Sequence, residues 1–195
     1  MPQRGVASTP EQWSATGQKS VVGFSAVIYR EVTVSRMFKS GRYSQASVAF
    51  RRAGNDRLAK ISDAFALHEK AKLISTTANA ARTQAFITAA DALLACARDS
   101  PTERTTERKS CYAAAGECFS EVRDLKGAGD SYIMAGKYES AAHSYREGGY
   151  VDDMTEVIIR HKDALESDFY LEMMAFARIH YFKVYSSAGL SIKHV

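Results

Sequence analysis

The chain has 195 residues, 46% apolar and 25% charged, with 12 glycines, 3 prolines and a formal net charge of +4. That is the make-up of one ordinary globular domain, long enough to bury about 70% of its unfolded-chain surface. It excludes a disordered chain, a collagen-like chain and a disulfide-dense secreted scaffold.

In chain order, MPQRGVASTP lacks the apolar core of a secretory signal. The longest apolar run, Val21 to Tyr29, is about half of what a bilayer crossing takes. The expectation is an intracellular protein, cytoplasmic or nuclear, with no membrane partner. Val21 to Val34 is β-branched and has no alanine stripe, so strand, irregular helix and poorly folded segment stay open for it. Residues 1–34 are therefore left without an assigned fold. Residues 35–185 read as a helical-repeat domain and 186–195 as a tail without periodic signal.

Within that domain one short pattern recurs. Its copies are Ala46, Phe50, Ala53, Gly54; then Ala115, Gly116, Phe119; then Ala128, Gly129, Tyr132, Ala135, Gly136; then Ala141, Ala142, Tyr145, Gly148, Gly149. The unit is A-x-x-x-[FY]-x-x-[AG]-G, and the aromatics 119, 132 and 145 fall at a period of thirteen. The copy at Phe119 has Val122-Arg123 where the others close with small residues. On a helix, a small residue and an aromatic four apart share a face. The small one admits a neighbouring helix and the ring fills the groove beside it. The closing glycine suits the left-handed position that ends a helix. Each unit is then a helix of about ten to twelve residues, stabilised by its neighbours rather than alone.

Around these units, helices are predicted over Asn55 to Leu73, with Leu58, Ile61, Phe65 and His68 near one face, and over Asn79 to Arg98. Ser100-Pro101-Thr102-Glu103 has the form of a capping box, which predicts a helix from there to about Val122. Two more follow, over Val151 to His161 and Ser167 to Tyr185. The last has Tyr170, Met173, Met174, Ala177, Tyr181 and Val184 on its apolar side.

The residues give little sign of chemistry. Cys96, Cys111 and Cys118 match no zinc spacing, and Cys111 and Cys118 read as buried small residues on one helix face. His68, His143, His161, His180 and His194 form no i, i+4 pair. Gly17-Gln18-Lys19-Ser20 is not a phosphate loop, and Gly127-Ala128-Gly129 lacks the third glycine of a dinucleotide fingerprint. Asp152-Asp153 reads as favourable charge at a helix N-terminus. No catalytic, cofactor or metal residue is assigned, and no enzymatic activity is expected.

Charge is uneven. Arg30 to Lys60 holds eight bases against two acids, whereas Ser110 to Arg160 holds five against nine. Arg36, Lys39, Arg42, Arg51, Arg52 and Arg57, interleaved with Phe38, Tyr43 and Phe50, make a candidate polyanion-binding set. The packing formula claims Phe50, and with it most of the stacking argument. The plainer reading of the basic stretch is a solvated helix face, or one complementary to the acidic repeats.

The strings CYAAAGECF and AGDSYIMAGKYESAAHSYREGGYVDDM with the following VIIRH, preceded by Glu11-Gln12-Trp13 and YSQASVAFRRAGND, resemble the helical-repeat region of large tetratricopeptide-and-ankyrin-repeat proteins. Many fungal members of that group carry a UvrD-like helicase part. The resemblance implies a fragment or truncated relative of a larger helicase-related protein, without the helicase engine. The expectation is an all-α, tetratricopeptide-like α-solenoid of short antiparallel helix hairpins that binds a protein or peptide. Lys137, Glu139, His143, Arg146 and Glu147 are the candidate contact residues. A nucleic-acid accessory module working through the basic stretch is the alternative.

Overall fold

The computed structural model describes residues 36–187, which form helices and turns with no strand among them. Trp13, Val21 to Val34, Gly17 to Ser20 and His194 lie outside the described residues. After a helical turn at residues 36–39 come α1 (Tyr43–Arg52), α2 (Asp56–Leu73), α3 (Asn79–Asp99), α4 (Thr105–Glu121) and α5 (Leu125–Ala135). Then follow α6 (Tyr138–Gly148), α7 (Val151–Arg160), a 3-10 turn (Lys162–Ala164) and α8 (Ser167–Ser187). The chain divides into two compact units between Ser62 and Asp63, within α2.

The first unit is centred on Ala46, Phe50 and Ala59, with Met37, Phe38, Ala49 and Leu58 around them. Ala53, expected among the packing residues, is exposed: it is the C-cap of α1, where the chain leaves the helix. In the second unit each helix from α3 to α8 packs on its neighbours in sequence. One core cluster gathers Phe86 and Leu93 of α3 with Ala114, Ala115 and Cys118 of α4. Another gathers Tyr132, Tyr145, Met154, Ile158 and Met173. Phe119, half-buried, packs against both.

The short helices close in one way. The residue four past the aromatic is left-handed: Gly54 (φ 73°), Arg123 (65°), Gly136 (75°) and Gly149 (78°). The next N–H donates to the aromatic's own carbonyl: Asn55 to Phe50 (2.9 Å), Asp124 to Phe119 (3.0 Å), Lys137 to Tyr132 (2.9 Å) and Tyr150 to Tyr145 (2.8 Å). This satisfies a carbonyl that a helix end otherwise leaves orphaned. The copy at Phe119 is thus geometrically complete, and Arg123 is the only non-glycine with positive φ among the described residues. A side chain in that conformation costs about 1–2 kcal/mol.

The next helix starts at once, with Asn55, Asp124, Lys137 or Tyr150 just ahead of its first turn, and the fourth residue after each of these four is buried. Ala59, Ala128, Ala141 and Met154 are 1%, 0%, 0% and 0% exposed. Met154 and Ile158 therefore continue the thirteen-residue register through α7, although neither fits the alanine–aromatic formula. Between successive helices the register sets a ring on a glycine. A Cβ at Gly116 of α4 would lie 2.8 Å from the Tyr132 ring of α5, and one at Gly129 of α5 would clash with the Tyr145 ring of α6. The third pair at this sixteen-residue spacing is Ala142 and Ile158, both fully buried in the same cluster.

The expected capping box does not form, and α4 begins at Thr105. The Ser100 backbone is extended ahead of Pro101, and its hydroxyl donates back to the Cys96 carbonyl at 2.8 Å. Ser100 therefore closes α3, and a turn held by Arg104 N–H on the Pro101 carbonyl (3.0 Å) separates it from α4. In α8, Met173 and Ala177 are buried as expected, but Val184 is 47% exposed.

The ring-on-glycine contact predicts a coupling. Gly116→Ala should cost about 1–3 kcal/mol in urea unfolding by overpacking. In a Tyr132→Leu background the added cost of Gly116→Ala should fall by at least about 0.5 kcal/mol. Strictly additive costs would remove this contact from the account.

Candidate interaction surfaces

Of the basic set, Arg36, Lys39, Arg42, Arg51 and Arg52 are exposed and Arg57 is half-buried. Arg42 Nε donates to Ser40 Oγ at 3.1 Å. Arg52 edges an open groove floored by Met37, Val48 and Ala49. The interleaved rings are occupied by packing: Phe50 is core, and Phe38 and Tyr43 meet edge to face at 5.0 Å. The surface thus offers cations without free stacking rings.

Four of the five candidates on and beside α6 make contacts with helices two places away in sequence. Lys137 Nζ lies 4.0 Å from Glu117 Oε1 of α4, and Glu147 pairs with Arg123 just beyond α4. Toward α8, His143 meets Phe169 edge to face at 5.1 Å. Arg146 donates to Glu172 Oε1 at 2.7 Å and lies 4.7 Å above the centre of the Phe176 ring. Glu139 is exposed. The other helices of this stretch do the same, for Lys126 at the start of α5 donates to Asp153 of α7 at 2.9 Å. Such exposed pairs contribute little each, about 0–1 kcal/mol, and set spacing more than stability. Thirteen-residue arithmetic does not reveal these pairs, because long side chains reach across a helix row by geometry that only the packed structure supplies.

The Asp152-Asp153 pair sits in the first turn of α7, as expected, and each carboxylate also has a partner. Asp153 takes Lys126, and Asp152 accepts from the Tyr181 hydroxyl at 2.5 Å. The Tyr145 hydroxyl donates to Asp130. Burial and that neighbouring carboxylate hold it protonated far above its ordinary range. Cys111 and Cys118 are fully buried. Burial pushes the Cys118 thiol up to about 12, which leaves it without thiolate character. Among the described residues, no group of three or more His, Cys, Asp or Glu is placed to hold a metal ion, and no helix is long and apolar enough to cross a membrane.

Among the described residues His68 of α2 is the one histidine sealed in the interior, 2% exposed. Its ring meets Phe86 edge to face at 6.3 Å, its Nε2 has no hydrogen-bond partner, and Glu117 Oε2 stands 3.8 Å away. Burial first, and the Lys72 charge second, lower its pKa below 6.5, against the opposing pull of Glu117. Its position on an apolar helix face was legible in the sequence, but the isolation of Nε2 was not.

Comparison of the chain with protein-family models, curated proteins and solved structures gives no match.

The buried neutral imidazole predicts a pH dependence. A group whose folded pKa is depressed binds fewer protons folded than unfolded, so stability is full above about 6.5 and falls as the pH drops below it. Urea midpoints should decline between neutral and mildly acidic pH, and His68→Leu should flatten that decline. An unchanged slope in the variant would show that His68 does not carry it.

Proposed function

We propose that the chain is a non-catalytic helical-repeat scaffold, a tetratricopeptide-like α-solenoid of antiparallel hairpins, whose exposed helix positions bind a protein or peptide. One observation carries the reading. From α4 to α8, core contacts join each helix to the next, while charge and ring pairs join helices two apart. Two ranges of contact, with linkers of two or three residues between the helices from α4 to α7, are what stacked hairpins produce. Repeats of this kind gain an extended surface and work by presenting it. On that surface Glu139, in the first turn of α6, and His143, one turn further on, are exposed, with Lys137, Arg146 and Glu147 around them. By the resemblance of its motifs, the chain would be a piece or a shortened relative of a large helicase-related protein.

The test is selection of peptides from a displayed library on the immobilised full chain, followed by affinity measurement against Glu139→Lys/His143→Glu. The reading expects selected peptides to lose about tenfold in affinity, or 1.4 kcal/mol, with the melting temperature unchanged. Peptides indifferent to this surface, or none selected, would contradict it.

The exposure of five cations in the first unit favours a second reading, a nucleic-acid accessory module. It expects oligonucleotide binding by fluorescence anisotropy that weakens steeply with salt and is lost in Arg51→Glu/Arg52→Glu. Absence of binding at low salt would remove it.

A further inference from the structure

Among the described residues, the largest group of exposed apolar side chains on one element belongs to α8. Its inner side is buried through Met173 and Ala177, while Leu171, Ile179 and Phe182 on the opposite side are 62%, 57% and 63% exposed. At 3.6 residues per turn, Leu171, Ala175, Arg178 and Phe182 follow a four-three-four spacing and form one straight seam, with Ile179 beside it. All five are exposed. This is the spacing by which one helix packs along another, on the last described helix of a row in which α4, α5, α6 and α7 each pack on both of their sequence neighbours.

We propose that this seam is the interface of a homodimer, in which α8 packs antiparallel on α8 of a second copy of the chain. The charges select that occupant. Asp168 and Glu172 flank the first half of the seam, and the second half has Arg178 within it and Lys183 on its flank, so the sign reverses about the middle of the helix. An antiparallel two-fold partner presents the same sequence in the opposite order. Each acidic end then meets a basic one, while a parallel copy sets like charges together. With the axis near residues 176 and 177, Leu171 faces Phe182 of the second copy and Ala175 faces Arg178. The small Ala175 gives the arginine stem room to lie flat, with its guanidinium toward the acidic half. Glu172 already accepts from Arg146, and its side chain is 60% exposed, which leaves a carboxylate oxygen for a second donor. The seam from Leu171 to Phe182 is about 17 Å long, short for a stable interface, so the dimer dissociates on dilution.

The experiment is sedimentation equilibrium of the full chain over a range of concentrations, beside three variants whose helicity is checked by circular dichroism. The native chain should show a monomer–dimer equilibrium. Leu171→Glu/Phe182→Glu should be monomeric with unchanged helicity, because both side chains are exposed in the single chain. Asp168→Lys alone should weaken the dimer on the order of tenfold. Asp168→Lys/Lys183→Asp, which restores opposite charges between positions 168 and 183 of the two copies with their order exchanged, should recover most of that loss. A native chain that stays monomeric at every concentration would overturn the proposal. So would a dimer that survives Leu171→Glu/Phe182→Glu, or one that Asp168→Lys leaves untouched.

Discussion

The second unit depends on a close approach that only glycine permits. Tyr132 lies on Gly116 and Tyr145 on Gly129, in each case a ring from one helix against the bare backbone of the helix before it. A glycine inside a helix costs about 0.5–1 kcal/mol relative to alanine, while burying a large side chain returns about 1.5–3 kcal/mol. The exchange is favourable only while the ring and the gap stay in register. That register is held by the left-handed closures after Phe119, Tyr132 and Tyr145, each of which returns the chain to a new helix within two or three residues. At the third pair, where Ile158 replaces the ring, Ala142 replaces the glycine, as expected when a narrower side chain leaves room for a methyl group.

Core and surface then divide their tasks. Apolar contacts bind each helix to its neighbour in sequence, and polar side chains tie helices two places apart. Lys137, Arg146 and Glu147 belong to that second set, so a ligand docking on α6 competes with intrachain partners for them, whereas Glu139 stands exposed. Under the proposed scaffold function, affinity at such a surface would come from exchanging one set of charge pairs for another, which suits reversible association better than permanent assembly.

Much of this architecture was legible in the sequence. The spacing of Phe119, Tyr132 and Tyr145 gave the period, and Gly54, Gly136 and Gly149 marked the helix ends. The failures are physical ones. Arg123 occupies a glycine conformation because the closure is fixed by the packing on either side of it, and this outweighs the local preference of one residue. Met154 and Ile158 escaped the formula because the core demands a volume and not a residue type. Ser100 resembled an N-cap, but the same serine geometry serves a preceding helix as readily as a following one. The residues on and beside α6 read in the sequence as candidate contact residues, but their partners on α4 and α8 are distant in sequence and no local pattern encodes them.

The register itself is open to direct measurement by amide hydrogen exchange in the folded chain, resolved by nuclear magnetic resonance at Asp124, Lys137 and Tyr150. Each of these N–H groups sits in a connection between helices, where a loop amide exchanges freely, and each is bonded to the carbonyl of the aromatic five residues before it. The account predicts that all three are protected to a degree comparable with the interiors of the helices they join. Exchange at unprotected rates at these positions, from a chain that is otherwise folded, would contradict it.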